Sequence, residues 1–506
     1  MTNPTLFGQY LYNIKNIQST KKIDKSDKFI LFFQLIKHML NLTHYTKDHR
    51  LELEKLFNSQ EWQRAISSGL IEEVRSEKIE PNEARNFIDT VVKQLLEFNE
   101  GRVRRLVDQG CRDEDYLFSE LSQWPDSLEG RNPVISFLGV NVTAGCNFDP
   151  KCIYCNQPYV ESSVSLDEWK RVVKEVTTDR SKEGPYIYVT GGEPLVLGED
   201  IWGDNGLVRY ATERGARVNV NTNATLITPE VALRFIKSGL AILHISLDTP
   251  DKDLQNFLCG GEHYDDILRG IYNVQLARDI IGVAYPIIHT NCVLTNRNLD
   301  LLPQLFGFIL EKHKQTAEKD DPFYNDLFPH IIPVGGRSND WLRPSEDEFR
   351  RFYGEVWSEV CQIWDKYQDE FRIPEEKRGA LFGYFSNPFR RVEHEGGLEA
   401  YARTSAEGRY GELALSKHCY VAPTQSSFTP DGYQFRCGSH AIHRSLPIGN
   451  IRERGVFDNI RAGISGLDDL PDVDECYGCA LATLYINQSV ESKLEEIIKS
   501  MLMNGK

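Results

Sequence analysis

Residues 134–155 read VISFLGVNVTAGCNFDPKCIYC, an apolar run from Val134 to Val142 that empties into Cys146, Cys152 and Cys155. A strand that ends in three closely spaced cysteines can hand several soft thiolates to one metal centre at the open end of a barrel. The spacing alone suits zinc as well as an iron-sulfur cluster. The neighbouring runs carry more. Tyr186 to Val189 leads into Thr190-Gly191-Gly192-Glu193-Pro194, which puts two glycines and a carboxylate where a second strand would open at the same end of a sheet. Val218 to Val220 ends in Asn221-Thr222-Asn223, and Ala241 to Ile245 ends in Ser246-Leu247-Asp248. With Tyr285 to Leu294 and His330 to Val334, six short strands alternate with helical stretches, as a parallel α/β barrel requires. One of those helices starts at Ser165, with Glu168 three residues on as a capping box ahead of Trp169, Val172 and Val173.

The cysteine triplet, the Gly-Gly-Glu and the polar strand ends together resemble the radical S-adenosylmethionine (SAM) superfamily, over about residues 134–340. The resemblance implies a partial (β/α)6 barrel of the TIM type. It also implies that Cys146, Cys152 and Cys155 hold three irons of a [4Fe-4S] cluster, with the fourth iron left for the amine and carboxylate of SAM. Gly191, Gly192 and Glu193 would then face the cofactor's ammonium, Tyr154 its adenine, and Asn223 and Ser246 its ribose or carboxylate. The family pattern has three residues between the first two cysteines, whereas this chain has five, Asn147 to Lys151. Asp149-Pro150 within them favours a turn that can bring the chain back.

Composition sets outer bounds. The chain of 506 residues suits two or three globular domains, and a formal charge of −16, from 58 basic and 74 acidic residues, argues against a broad nucleic-acid surface. The apolar stretch Phe29–Leu40 contains Gln34, Lys37 and His38 and is too short to span a bilayer, and Met1–Asn13 lacks the zones of a secretory signal. The expectation is a cytoplasmic protein without membrane partners, whose eleven cysteines are thiols or metal ligands rather than disulfides.

Outside the barrel, residues 1–130 read as a helical N-terminal domain. A stripe after Pro81 places Ala84, Phe87, Ile88, Val91, Val92, Leu95 and Leu96 on one face. The barrel is expected over 131–342 and a helical connection over 343–414. That connection contains an amphipathic helix at 345–370, with Phe349, Phe352, Val356, Val360 and Trp364 on one face, and a Gly- and Arg-rich stretch, Phe385–Tyr410, that could cover the barrel mouth. Residues 415–506 form a small cysteine-rich domain and a C-terminal helix. There Pro430-Asp431-Gly432 predicts a hairpin flanked by Cys419 and Cys437, and Cys476-x2-Cys479 is a knuckle. This part resembles the SPASM and Twitch extensions of radical SAM enzymes over about residues 415–482. Four cysteines, rather than the seven of a full SPASM extension, imply one auxiliary [4Fe-4S] cluster.

The resemblance implies an enzyme that cleaves SAM reductively and takes hydrogen from a substrate, with an electron donor such as flavodoxin or ferredoxin. A ribosomally made peptide undergoing modification is the first expectation for that substrate. A small-molecule alcohol or sugar dehydrogenase is the second, and a non-enzymatic zinc scaffold stands as the reading from another class. No catalytic side chain is singled out. Cys111, Cys292 and Cys361 read as structural, Cys259 as a loop residue that could approach the site, and His440 and His443 as neighbours of Cys437 or plain surface groups.

Overall fold

Residues 47–81, 87–124, 132–157, 160–177, 184–314, 328–334, 337–370, 397–410, 416–463 and 481–504, with 412, 476 and 479, are described in the computed structural model. Six strands lie side by side and parallel: β1 (Phe137–Asn141), β2 (Tyr186–Thr190), β3 (Arg217–Thr222), β4 (Ile242–Ser246), β5 (Ile287–Leu294) and β6 (Phe328–Pro333). Helices such as Leu166–Thr177, Pro229–Lys237 and Tyr264–Ile281 return the chain between successive strands. β1 and β6 do not pair, so the barrel is partial and open.

The strand sequences explain why the sheet has two unlike faces. Leu138, Val140, Ile187, Val189, Val218, Val220, Leu243, Ile245 and Ile288 are almost fully buried in the core that the sheet shares with the helices. The residues between them are polar: Tyr188, Asn219, Asn221, His244 and His289 alternate with the aliphatic positions. Successive side chains of a strand point to opposite faces, so the aliphatic set packs outward and the polar set lines the interior. The expected capping box also forms, with Ser165 N–H donating to Glu168 Oε2 at 2.8 Å and Glu168 N–H donating to Ser165 Oγ at 3.3 Å.

The sheet does not stop at the barrel. β7 (Gln425–Phe428) pairs parallel with β1, matching Phe137 to Gln425 and Val140 to Phe428, and β8 (Tyr433–Phe435) and β9 (Gly449–Asn450) continue antiparallel. The turn between β7 and β8 is the one expected at Pro430-Asp431-Gly432. Gly432 has φ +88°, a left-handed conformation that favours glycine, and its N–H donates to Thr429 O at 2.9 Å. One nine-stranded sheet thus carries both the barrel and the C-terminal hairpin.

The segment expected as a single helix over 345–370 is helical with one wide turn. Glu346–Arg351 and Trp357–Glu370 flank a π turn at Phe352–Val356, where the Trp357 N–H reaches back to Phe352 O. The extra residue rotates the face, so Trp357 rather than Val356 joins Phe349, Phe352, Val360 and Trp364 in the core. Of the Phe385–Tyr410 stretch, residues 385–396 lie outside the described residues. At its end Tyr410 donates to Val334 O at 3.2 Å, beside the C-terminal end of β6.

The described helices before the barrel pack in two groups. Gln60–Ser67 and Leu70–Glu77 sit on the barrel helices, with Trp62 Nε1 donating to Asn273 Oδ1 at 2.9 Å. Phe87–Asp108 and Glu114–Ser122 share a separate core with the C-terminal helix Leu481–Asn504, through Val91, Leu95, Val103, Leu117, Val490 and Leu494. The expected stripe after Pro81 is therefore present from Phe87 on, while Ala84 lies outside the described residues. No described helix is long and apolar enough to cross a membrane.

The first group is pinned by Lys237, whose side chain is 3% exposed and whose ammonium lies 2.6 Å from Glu73, 2.7 Å from Asp204 and 3.3 Å from Glu77. Only the lysine is buried: its three carboxylates are 36–53% exposed, and Arg234 and Arg209 also reach them. Lys237→Ala is therefore expected to lower the unfolding free energy by about 1–2 kcal/mol, between the exposed and the buried limits, read from the urea midpoint. A change below about 0.5 kcal/mol would show that the network is only surface decoration.

Candidate functional site

The loop that follows β1 and the Gly-Gly-Glu that follows β2 are joined backbone to backbone at the C-terminal end of the sheet. Val142 N–H donates to Thr190 O at 2.9 Å, Gly192 N–H to Thr143 O at 2.7 Å and Glu193 N–H to Gly145 O at 2.8 Å. These contacts extend the β1–β2 ladder to the residue before Cys146. They require glycine: a Cβ on Gly191, at φ +147°, would sit 2.4 Å from Thr143 O, and one on Gly192 would sit 2.1 Å from Gly145 O. The two glycines are thus the means by which the second strand positions the cysteine loop.

The same loop is gripped from the other side by the helix after β4. Ile153 N–H donates to Leu258 O at 3.0 Å, and Gly260 lies so close that a Cβ there would meet Lys151 O at 2.8 Å and Pro150 O at 2.9 Å. Phe148 stacks on His263 with ring centroids 3.8 Å apart, and Asn147 is held by Thr225 Oγ1 and by the Asn223 amide at 2.9 and 2.8 Å. The two extra residues between Cys146 and Cys152 are therefore taken up in a packed turn. Cys146 receives the Phe148 N–H at 3.4 Å, and burial pushes its thiol upward. Cys155 is exposed, and Cys146 and Cys152 are both half-buried. The Cys152 thiol is pushed far up, first by a hydrogen bond with the Cys259 thiol and then by burial. Cys259 does approach the site: it is buried on the helix Lys252–Cys259 and accepts from Gln255 Nε2 at 3.1 Å.

The remaining residues expected at the cofactor are placed as follows. Glu193 is 1% exposed; its Oε1 accepts from Leu195 N–H at 2.9 Å and Thr222 Oγ1 at 2.8 Å, and its Oε2 from Asn223 N–H at 2.7 Å. The carboxyl thus ties the end of β2 to the end of β3, and burial raises it to about 7. Asn223 is buried and spends its amide on Asn147 and the Thr225 turn. Tyr154 donates to Asp248 Oδ2 at 2.5 Å, and its carbonyl accepts from Asn339 Nδ2 at 2.9 Å. That links the cysteine loop to the ends of β4 and β6. Burial lifts Asp248 to about 6. Ser246 is half-buried at the end of β4, opposite Asn291 in register.

At the C-terminal part, Cys437 follows β8 at the start of the helix Gly438–His443. Burial raises its thiol to about 11, against the backbone N–H groups of His440 and Ser439 that point at the sulfur, and Cys419 is near enough to repel it when both are ionised. Cys419 is raised by burial and accepts from Asn487 Nδ2 at 3.8 Å. Cys476 and Cys479 form a turn in which Cys479 N–H donates to Cys476 O at 3.0 Å. His440 is buried, with Nδ1 2.9 Å from Ser445 Oγ.

Residues 140–289 match the model of the Radical SAM superfamily, and this span runs from β1 through the cysteine loop to β5. The matched span is similar to a Radical SAM domain, and the chain is an enzyme. An AdoMet-dependent heme synthase of Methanosarcina barkeri is 25% identical over 329 residues, which is 63% of this chain and 80% of that one. A second AdoMet-dependent heme synthase, from Nitratidesulfovibrio vulgaris, is 31% identical over 188 residues, 36% of this chain and 47% of its own length. The mycofactocin maturase MftC of Mycolicibacterium smegmatis is 26% identical over 330 residues, covering 63% of this chain and 68% of the relative. The chain thus spans most of the first and third proteins but only about half of the second.

Two features of the barrel were not read from the sequence. Asp248, at the end of β4, holds Tyr154, and three interior histidines, His244, His289 and His330, face one another with ring centroids 5.1–5.3 Å apart. The histidines had a legible signal, because each occupies a polar position among the aliphatic residues of one of three consecutive strands.

Two outcomes follow from this geometry. Gly192→Ala is expected to reduce iron uptake on anaerobic reconstitution at least tenfold. The control Gly101→Ala, where a Cβ meets nothing within 4 Å, should leave it unchanged; equal iron in both would remove the glycine argument. For Glu193, the fold raises the carboxyl from 4.5 to about 7, so between those values the native state keeps a proton that the unfolded chain has released. Stability must then fall as pH rises through that window. Glu193→Gln should abolish that part of the pH dependence in urea titrations, whatever fixed offset it adds; parallel pH profiles would contradict the assignment.

Proposed function

We propose that Cys146, Cys152 and Cys155 hold three irons of a [4Fe-4S] cluster, that Gly191 to Glu193 border the SAM seat, and that the substrate is a ribosomally made peptide. The observation that carries the reading is the backbone pairing of Gly192 and Glu193 with Thr143 and Gly145, which fixes the cysteine loop against the strand end where the family places the cofactor. A cluster with SAM on its fourth iron supplies, when bound, a 5′-deoxyadenosyl radical that takes hydrogen from an unactivated carbon.

The chain's own groups do the positioning. The thiols give up their protons on binding metal, and the Cys259 thiol beside Cys152 keeps that sulfur hydrogen-bonded. Tyr154 and Asn339 tie the loop to β4 and β6, so the three cysteines and the strand ends move as one body. The polar barrel interior below can orient a substrate while the packed outer face excludes water.

In the C-terminal part, Cys419, Cys437, Cys476 and Cys479 are proposed to ligate one auxiliary [4Fe-4S] cluster. Buried thiols with backbone N–H groups aimed at sulfur suit that role. The units proposed are 1–130, 131–342, 343–414 and 415–506, with electrons delivered by a flavodoxin or ferredoxin. The maturase relative supports a peptide substrate. The heme synthase relatives support a second reading, a small-molecule substrate.

Anaerobic protein given dithionite and SAM should release 5′-deoxyadenosine, with about eight irons per chain if two [4Fe-4S] clusters are present. Cys152→Ala should abolish release. Cys479→Ala should spare it while product formation is lost. A precursor peptide that raises the rate and changes mass supports the first reading, and release stimulated only by a small molecule supports the second. Full release from Cys152→Ala would overturn the ligand assignment.

A further inference from the structure

Inside the barrel, His244 on β4, His289 on β5 and His330 on β6 form a near-equilateral triangle, with ring centroids 5.3, 5.1 and 5.2 Å apart. One ring nitrogen from each lies within 4.8 Å of the other two. We propose that this trio binds a zinc ion, in a site separate from both cysteine sets and beyond the function proposed above. His244 precedes Ser246 by two residues on the same strand face. The site therefore lies about 7 Å, two residues of strand rise, beneath the level at which the family places SAM.

Three arguments support the assignment. First, the ligands have the right chemistry. Neutral imidazole is the form that binds metal, and the three rings come from consecutive strands with one ring nitrogen each turned to the same point. Three imidazoles with an open position are a recurrent catalytic set for zinc.

Second, a supporting group is in place. The Nδ1 atom of His244 is buried without a geometric hydrogen bond, with the Asn291 amide beside the ring, while Nε2 lies 3.3 Å from the Asn219 amide, whose Oδ1 is also buried without a partner. Rotating that amide by half a turn gives an acceptor for Nε2–H and leaves Nδ1 as the lone-pair donor. This is the usual arrangement behind a metal-bound histidine.

Third, an ion can enter. His244 is 5% exposed, but His289 and His330 each keep partial exposure to the interior. A tetrahedral ion with bonds of about 2.0–2.1 Å needs ligand nitrogens about 3.4 Å apart, so from separations of up to 4.8 Å the triangle must close by at most about 1.4 Å through side-chain rotation. The open coordination position would then take a water or a carbonyl or carboxylate oxygen of the substrate, and polarise it.

The test uses the anaerobic holoenzyme with its iron and sulfide counted. After equilibration with zinc and gel filtration, the wild type should retain one zinc per chain in addition to its iron. His289→Ala and His330→Ala should each retain at least tenfold less, with iron and sulfide unchanged. Zinc K-edge absorption of the wild type, which needs no variant, should show nitrogen or oxygen scatterers at about 2.0–2.1 Å and no sulfur. Sulfur scatterers at about 2.3 Å, zinc retention undiminished in both variants, or no zinc in the wild type would each overturn the proposal. None of these readings depends on SAM cleavage, so the site and the proposed function can fail separately.

Discussion

The structure depends on a close approach of two backbones, Thr143 to Gly145 after β1 and Gly191 to Glu193 after β2. Two hydrogen bonds of 2.7 and 2.8 Å join them, and any side chain on Gly191 or Gly192 would occupy the space of a carbonyl oxygen. A loop has no ladder of its own to satisfy its backbone, so a neighbour that does so fixes its path. Cys146 inherits its position from that pairing. The rest of the cysteine loop is held from the opposite side, by Leu258, Gly260 and His263 on the chain after β4. The cysteine loop is thus held by two strand ends at once, with five residues between Cys146 and Cys152 taken up in its turn.

The second organising feature is the division of each strand into an apolar outer face and a polar inner one. Outer residues such as Ile187, Val218 and Leu243 drive the sheet onto its helices. The inner residues forgo that gain, and each buried polar atom left without a partner costs about 1–3 kcal/mol. An ordinary barrel core fills its interior with branched aliphatic side chains. Here the same positions carry His, Asn and Tyr instead. Because β7 adds to the edge at β1, the hairpin that carries Cys437 belongs to the same sheet as the cysteine loop.

Much of this was legible in the sequence because strand and turn signals are local. The six runs, the capping box at Ser165 and Glu168 and the turn at Pro430-Asp431-Gly432 each need only a few neighbouring residues to be read. The π turn at Phe352–Val356 was not legible, since one inserted residue leaves the apolar spacing almost unchanged. Nor could spacing show that the Glu193 carboxyl turns inward to Thr222 and Asn223, that Tyr154 is taken by Asp248, or that Cys259 meets Cys152. Those contacts join residues about 30 to 107 positions apart, and only the register of the parallel strands brings them together. The histidine trio is the intermediate case: alternation marks each residue as inward, but their meeting depends on the curvature of the sheet.

The central claim is that Cys146, Cys152 and Cys155 hold a cluster with one iron open to SAM. The most direct measurement is the electron paramagnetic resonance spectrum of the dithionite-reduced protein with and without SAM. The account predicts a reduced [4Fe-4S] signal whose g values shift when SAM is added, because the cofactor changes the coordination of one iron. A signal that SAM leaves untouched, or no cluster signal at all in anaerobic protein with a full iron count, would contradict it.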